Sequence, residues 1–274
     1  MSDALITRTN GRLQWTVDPS NGGRLVSLVL DGQEVMSQTG EVGLPNETTA
    51  FASGAFPMVP WAGRIARGDL EVAGRTYRLD TGGQPHALHG TTYDRHWQVA
   101  SLDDESVSLR RDLGPGWPFA GEATMDWRSV PEGLSLRLAV RAAEAMPAWI
   151  GIHPWFRRVL DDGRVLSYAF DAKQMYLRGS DGIPTGELVP VPPGPWDDCF
   201  SGVSEARLNW GDLGLVVTAS SDIWVVFDER PEAVCVEPQT GPPDAVRLGE
   251  ANWLSPGEEH SLDVSFLLRA AHED

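Results

Sequence analysis

The chain has 274 residues and a mass of 29.9 kDa, enough for one large all-β domain or two small ones, and a domain of this size buries roughly 75% of its unfolded-chain surface. Hydrophobic residues at 41% and charged residues at 22% lie close to globular averages and exclude a disordered chain, a coiled coil and collagen. Lys plus Arg number 22 against 39 Asp plus Glu, a formal net charge of −17; such a chain repels phosphate backbones and anionic lipid, so neither nucleic acid nor a membrane surface is expected as a partner.

In chain order, the N-terminus from Met1 to Arg8 lacks an apolar stretch long enough for a signal peptide, and no window approaches the ~18 apolar residues of a membrane span. A soluble, cytoplasmic protein is expected. Leu13 to Val17 alternates apolar and polar residues as a half-buried strand does. Leu70–Val72 and Thr76–Leu79 flank Ala73-Gly74-Arg75 as a hairpin, and Trp97–Val99 is joined to Val107–Leu109 across an Asp-rich turn. Ala123–Trp127 turns at Pro131-Glu132-Gly133 into the cleanly alternating run Leu134–Val140. Only Arg137 to Met146 looks at all helical, and it lacks a sustained 3.6-residue period.

Further on, a strand from Trp149 to His153 would put Ile150 and Ile152 on one face and Trp149, Gly151 and His153 on the other, with Pro154 ending the ladder. Ile223–Phe227 has the pattern of a buried strand, and Val234 and Val236 turn Cys235 and Glu237 to the opposite face of theirs. The 29 Gly and 20 Pro are spread over the whole length, the punctuation of an all-β protein. With no composition shift or repeat, residues 1–274 read as one domain of roughly fifteen to twenty short strands, a large antiparallel β-sandwich. Cys199 and Cys235 fit neither a disulfide framework nor a zinc pattern and read as reduced thiols.

Five segments carry residues suited to chemistry. His153, beside Gly151 and before Pro154-Trp155, is either a proton-transferring group over an aromatic floor or a hydrogen-bonded core histidine. His86 and His89, in a loop bounded by Pro85 and Gly90, are metal ligands, donors to a polar ligand, or ordinary loop residues; no compact third and fourth zinc ligand accompanies them, and no metal is expected. Glu237, on an apolar strand before Pro238, is either a solvated strand-end carboxylate or a general base tuned by burial. Asp197-Asp198 between Trp196 and Phe200 is a solvated turn or a ligand-binding pair. Arg64, after Gly63 within an apolar stretch, points into a cleft or lies on the surface. Phosphate loops, the dinucleotide-binding glycine pattern and the nucleophile elbow are all missing from the sequence.

Taken together, Arg64-Ile65, Leu88-His89-Gly90, His153-Pro154-Trp155-Phe156, Asp197-x-x-Phe200 and Glu237-Pro238 resemble, in this order, the motifs of the aldose 1-epimerase (galactose mutarotase) family. Each motif is weak alone; five in sequence are strong. The resemblance spans Arg64 to about Gly241 and implies a β-sandwich of the galactose mutarotase type with a monosaccharide held over a concave sheet face. It also implies an isomerase that interconverts the α and β anomers of a hexopyranose without metal or organic cofactor. By the same resemblance Glu237 is the catalytic base and His153 the acid that protonates the ring oxygen. His89 bonds the sugar near the reacting centre, Asp197 binds its hydroxyls and Arg64 contacts the sugar.

Trp61, Trp155 and Trp196 each neighbour a motif, and an indole face suits the apolar face of a pyranose; Trp61, Trp155 and His86 join the substrate-binding candidates. A histidine near its reference pKa of ~6.5 would be partly charged at neutral pH, as a proton donor requires. The chain departs from the family pattern at Gly63 and at Arg157, where many members have Asn. Arg157 and Arg158 would meet a phosphate or sulfonate at C6, or point outward from their strand. Two other readings stand beside the epimerase: a carbohydrate-binding or regulatory protein on the same scaffold, and a glycosidase using Asp197 and Glu237. A monomer or homodimer is expected.

Overall fold

The computed structural model describes residues 4–43 and 51–270; of the N-terminal stretch read for a leader, residues 1–3 lie outside these. Two large antiparallel sheets dominate. The first has eleven strands. Its spatial order is Ile6–Asn10, Leu13–Asp18, Arg24–Leu30, Ala55–Met58, Gly151–Arg157, Ala233–Gln239, Ile223–Phe227, Asp197–Ser201, Gln174–Arg178 and Pro184–Val189, with Gln33–Glu34 paired to the side of Arg24–Leu30. The second has eight strands, Gln98–Leu102 at one edge and Leu166–Phe170 at the other, with Gly133–Ala142 and Glu259–Ala270 paired at its centre.

The three hairpins expected from sequence are present: Asp69–Val72 with Arg75–Arg78, Gln98–Leu102 with Ser106–Asp112, and Gly121–Val130 with Gly133–Ala142. The described residues form 25 strands, more than the fifteen to twenty expected. The surplus consists of short ladders such as Gln33–Glu34, Arg64–Ile65 and Ala87–Leu88, too brief to show a periodicity. The faintly helical Arg137–Met146 is strand instead, divided between Gly133–Ala142 and Met146–Ala148; its alternating Leu134, Leu136, Leu138 and Val140 bury one face of the sheet. The α-helix among the described residues is a single turn, Ala245–Leu248. None of their helices is long and apolar enough to cross a membrane.

The space between the sheets is filled by large side chains. Trp15, Trp97, Trp127, Trp149, Trp155, Trp210 and Trp224 are all fully buried, so most of the unusual tryptophan content serves packing.

One feature of the larger sheet differs from the sequence expectation. Pro154 does not end its strand. Gly151–Arg157 runs through it, with Pro154 opposite Ala55 on one side. On the other side Gly151 pairs with Gln239 and Trp155 with Cys235, while the three positions between are unpaired in the ladder. Pro154 and Pro238 lack N–H donors within that gap, so an open stretch of ladder leaves fewer backbone groups without partners than it would elsewhere. The same register sets His153 opposite Glu237.

Candidate active site

The opening in the ladder lies beneath a cavity of about 330 Å³, within the range of small-molecule sites. Arg64, His89, His153, Trp155, Asp197 and Glu237 all line it. They come from stretches of chain that sequence alone leaves far apart.

At its base, His153 Nε2 lies 3.2 Å from Glu237 Oε1. Both side chains are almost wholly buried, with 7% and 2% of their surface exposed. The imidazole is stacked between Phe56, at 4.6 Å between ring centroids, and Trp155, at 5.3 Å. His89 meets it edge-on at 5.2 Å. Burial is the main influence on both members of the pair. It pushes the Glu237 carboxyl well up, with the negative charge of Asp197 acting the same way. It also pushes the His153 imidazole well down, aided by His89, Arg24 and Arg64. The pair is therefore favoured in its uncharged form, holding one proton on the carboxyl side of the contact. This departs from the expectation of a histidine near its reference value and partly charged at neutral pH. The aromatic stack that gives the ring its floor also removes the water that would solvate its charge.

His89 is likewise neutral, its pKa pushed down to about 3 by burial and the nearby charge of Arg64. It sits at φ 58, an uncommon conformation for a side-chain-bearing residue. Its N–H bonds the Gly63 carbonyl at 3.0 Å. The following Gly90 leaves no alternative, because a Cβ there would fall 2.1 Å from the Val59 carbonyl oxygen. Arg64 is held by the short ladder that pairs it with Leu88.

A polar wall faces the pair. Asp197 Oδ2 accepts from Arg64 Nη2 at 2.9 Å and Arg178 Nη1 at 3.1 Å, and Arg178 Nε meets Asp198 Oδ1 at 3.2 Å. Burial raises the Asp198 pKa against the opposing pull of Arg178. Sequence reasoning assigned no role to Arg178, Tyr176, Phe227 or Gln239, which also line the cavity. The signal was present for Gln239, which shares a strand face with Glu237; Tyr176 and Arg178 share a face with each other, on a strand that carries no other candidate. Which strands would become neighbours was not readable locally.

Two candidates fall elsewhere. His86 does not line this cavity; its Nδ1 accepts from the Arg67 N–H at 3.1 Å and its Nε2 bonds the Asp181 carbonyl at 2.8 Å. Trp61 stacks on Trp117 at 5.4 Å and lines an adjoining cavity of about 250 Å³ that shares Phe51 and Leu88 with the first. Trp196 lies apart from both cavities, packed against Phe170 and Phe200. Arg157 is paired with Glu41 at 3.1 Å and Asp161 at 2.9 Å, and Arg158 donates to the carbonyls of Arg230 and Asp228. Neither arginine lines the cavity. The donor atoms of His153, Cys235 and Glu237 lie within 4.8 Å of one another. A soft cation bound there would have to displace the Cys235 proton, which burial holds tightly.

Comparison with known proteins adds the lineage. The family model of aldose 1-epimerase matches residues 5–203, which include Arg64, His89, His153 and Asp197, while Glu237 follows the matched stretch. Two Escherichia coli K12 proteins, YihR and YphB, both described as uncharacterized, are 26% identical over 233 residues and 24% identical over 252 residues. These alignments cover 75% and 81% of this chain, and 76% and 86% of the relatives. A galactose mutarotase-like protein from Clostridium acetobutylicum superposes with a TM-score of 0.84 at 18% identity, over 97% of this chain and 95% of the other. Galactose 1-epimerase from Lactobacillus acidophilus superposes with a TM-score of 0.79 at 17% identity, over 98% and 95%. The sandwich described above is the galactose mutarotase-like fold, and the chain belongs to the aldose 1-epimerase family.

Proposed function

We propose that this protein is a cofactor-independent aldose 1-epimerase that interconverts the α and β anomers of a hexopyranose. The observation that carries the reading is the 3.2 Å contact between His153 and Glu237 at the base of a cavity of small-molecule size.

A cyclic hemiacetal opens when its C1 hydroxyl loses a proton and its ring oxygen gains one. The resting pair holds a single proton. Its transfer from Glu237 Oε1 to His153 Nε2 creates carboxylate and imidazolium together, and the positive charge of Arg64 favours the carboxylate. Glu237 then accepts the C1 hydroxyl proton. The electron pair of that O–H bond forms the C1 carbonyl, the C1–ring-oxygen pair moves onto the ring oxygen, and His153 protonates it. After rotation about C1–C2, His153 takes the proton back, the ring oxygen attacks the other face of C1, and Glu237 returns its proton. Atoms and charge balance over the cycle. Each relay of this kind contributes typically ~10²–10⁴-fold.

Neutral His89 offers a hydrogen bond to oxygen as negative charge builds on it. Asp197, fixed by Arg64 and Arg178, orients hydroxyls on the far side of the ring. Polarimetry on freshly dissolved α-D-glucose and α-D-galactose, run beside a p-nitrophenyl glycoside assay, tests the reading. Faster decay of rotation without p-nitrophenol release is expected. Glycoside cleavage in place of anomer exchange would refute the epimerase, and no acceleration for any hexose would favour a binding protein.

A further inference from the structure

Gly151 and Gln239 face each other across adjacent strands. A Cβ on Gly151 would lie 2.9 Å from Gln239 Cγ, 2.8 Å from Met58 Cε and 3.0 Å from the Pro238 carbonyl oxygen. The glycine therefore makes the room that Gln239 occupies. Gln239 has no exposed surface and lines the cavity. Its Nε2 donates to Glu237 Oε2 at 3.3 Å. Its Oε1, buried, has no hydrogen-bond donor among the described residues. A buried amide satisfied at one end only is a costly arrangement to retain unless a ligand completes it.

The two oxygens of Glu237 are flanked differently. His153 meets Oε1 and Gln239 meets Oε2. The anomeric carbon of a pyranose also has two different ring neighbours, the ring oxygen and C2. The ring oxygen has no proton to give a carbonyl, whereas the C2 hydroxyl does. With the C1 hydroxyl on Glu237 and the ring oxygen toward His153, C2 falls on the side of Gln239. Vicinal hydroxyls are spaced by about one hydrogen-bond length, which suits a carboxylate and an amide joined by a hydrogen bond.

We propose that Gln239, seated by Gly151, reads the C2 hydroxyl of the sugar through its free carbonyl while its N–H group steadies Glu237. This assignment rests on the epimerase reading of the pocket. It makes the protein selective for aldoses that carry a hydroxyl at C2, and it makes Gln239 a substrate-binding residue as well as a positioning residue for the base.

The test compares D-glucose with 2-deoxy-D-glucose, and D-galactose with its 2-deoxy analogue, by equilibrium affinity and by kcat/KM. The native protein is expected to favour the parent sugar by at least about tenfold, the effect of leaving a buried acceptor unpaired. In Gln239→Leu that preference is expected to collapse toward one. In Gly151→Ala, where the amide is kept but displaced, it is expected to shrink. Thermal melts establish that each variant is folded. Loss of the N–H donor also raises the Glu237 pKa further, so the alkaline limb of the rate profile moves up in Gln239→Leu, a change that loss of packing alone would not produce. Equal affinity of the native protein for parent and 2-deoxy sugars overturns the assignment without any variant, as does a preference that survives in Gln239→Leu. An intact affinity preference with no turnover of any sugar overturns the epimerase reading and leaves Gln239 as a hydroxyl reader. Neither binding nor turnover overturns both.

Discussion

His153 is the residue whose chemistry depends most on its neighbours. Its ring is pressed between Phe56 and Trp155, and the resulting loss of hydration holds its pKa well below the ordinary 6.5. Glu237 is held well above the ordinary 4.5 for the same reason. In the proposed mechanism the working form of the pair carries one proton. Activity should therefore fall on the acid side only when a second proton reaches His153, and on the alkaline side when Glu237 loses its own. The profile of kcat/KM against pH is expected to have an acid limb below 6.5; a limb at or above 6.5 would contradict the buried, uncharged pair. That His153 and Glu237 were candidates for chemistry was legible in sequence, from Gly151-Ile152-His153-Pro154 and Val236-Glu237-Pro238. Their charge state was not, because Phe56 reaches the imidazole from a strand about a hundred residues away in the chain.

At the scale of elements, the site depends on three places where a regular strand gives way. The ladder between Gly151–Arg157 and Ala233–Gln239 opens around Pro154 and Pro238. The two-residue pairing of Arg64–Ile65 with Ala87–Leu88 carries Arg64 and ends at His89. Gly90, at φ +81, lets that turn press onto Val59. Gly90→Ala is expected to cost roughly 1–3 kcal/mol or more, from the left-handed backbone and the clash together. It should lower the rate by moving His89, with Tm and turnover measured on the same sample. An unchanged Tm would mean the Val59 contact is not a constraint. The hairpins were readable from turn residues and alternation because both strands and their turn are local. The course of the strand through Pro154 was not, since it depends on the Ala55 strand accepting Pro154 on one side while the other side goes unpaired.

At the scale of the whole molecule, the pattern of alternation and scattered Gly and Pro was enough to read two packed antiparallel sheets. The neighbours in those sheets were not readable. Gly151–Arg157 lies between Ala55–Met58 and Ala233–Gln239, and pairings between such distant segments leave no local trace. Burial of neutral histidines also sets how the fold responds to acid. His89 titrates near 3 when folded and near 6.5 when unfolded, so below pH 6.5 the unfolded chain binds a proton that the folded chain refuses. The contribution of neutral His89 to stability is present above pH 6.5 and is lost as pH falls toward 3. Between pH 7 and pH 5 the native protein is expected to lose up to about 2 kcal/mol more unfolding free energy than a His89→Phe variant, read from urea unfolding at the two pH values. Parallel losses would show that His89 is protonated in the folded protein.

The most direct measurement is two-dimensional NMR exchange spectroscopy on equilibrated D-glucose and D-galactose, with catalytic amounts of native protein, Glu237→Gln and His153→Ala. Cross-peaks between α and β anomeric protons are expected for at least one sugar with the native protein, and each variant should reduce the exchange rate by about 10²-fold or more while keeping its thermal melt. Exchange that persists undiminished in folded Glu237→Gln would contradict acid–base ring opening by the buried pair.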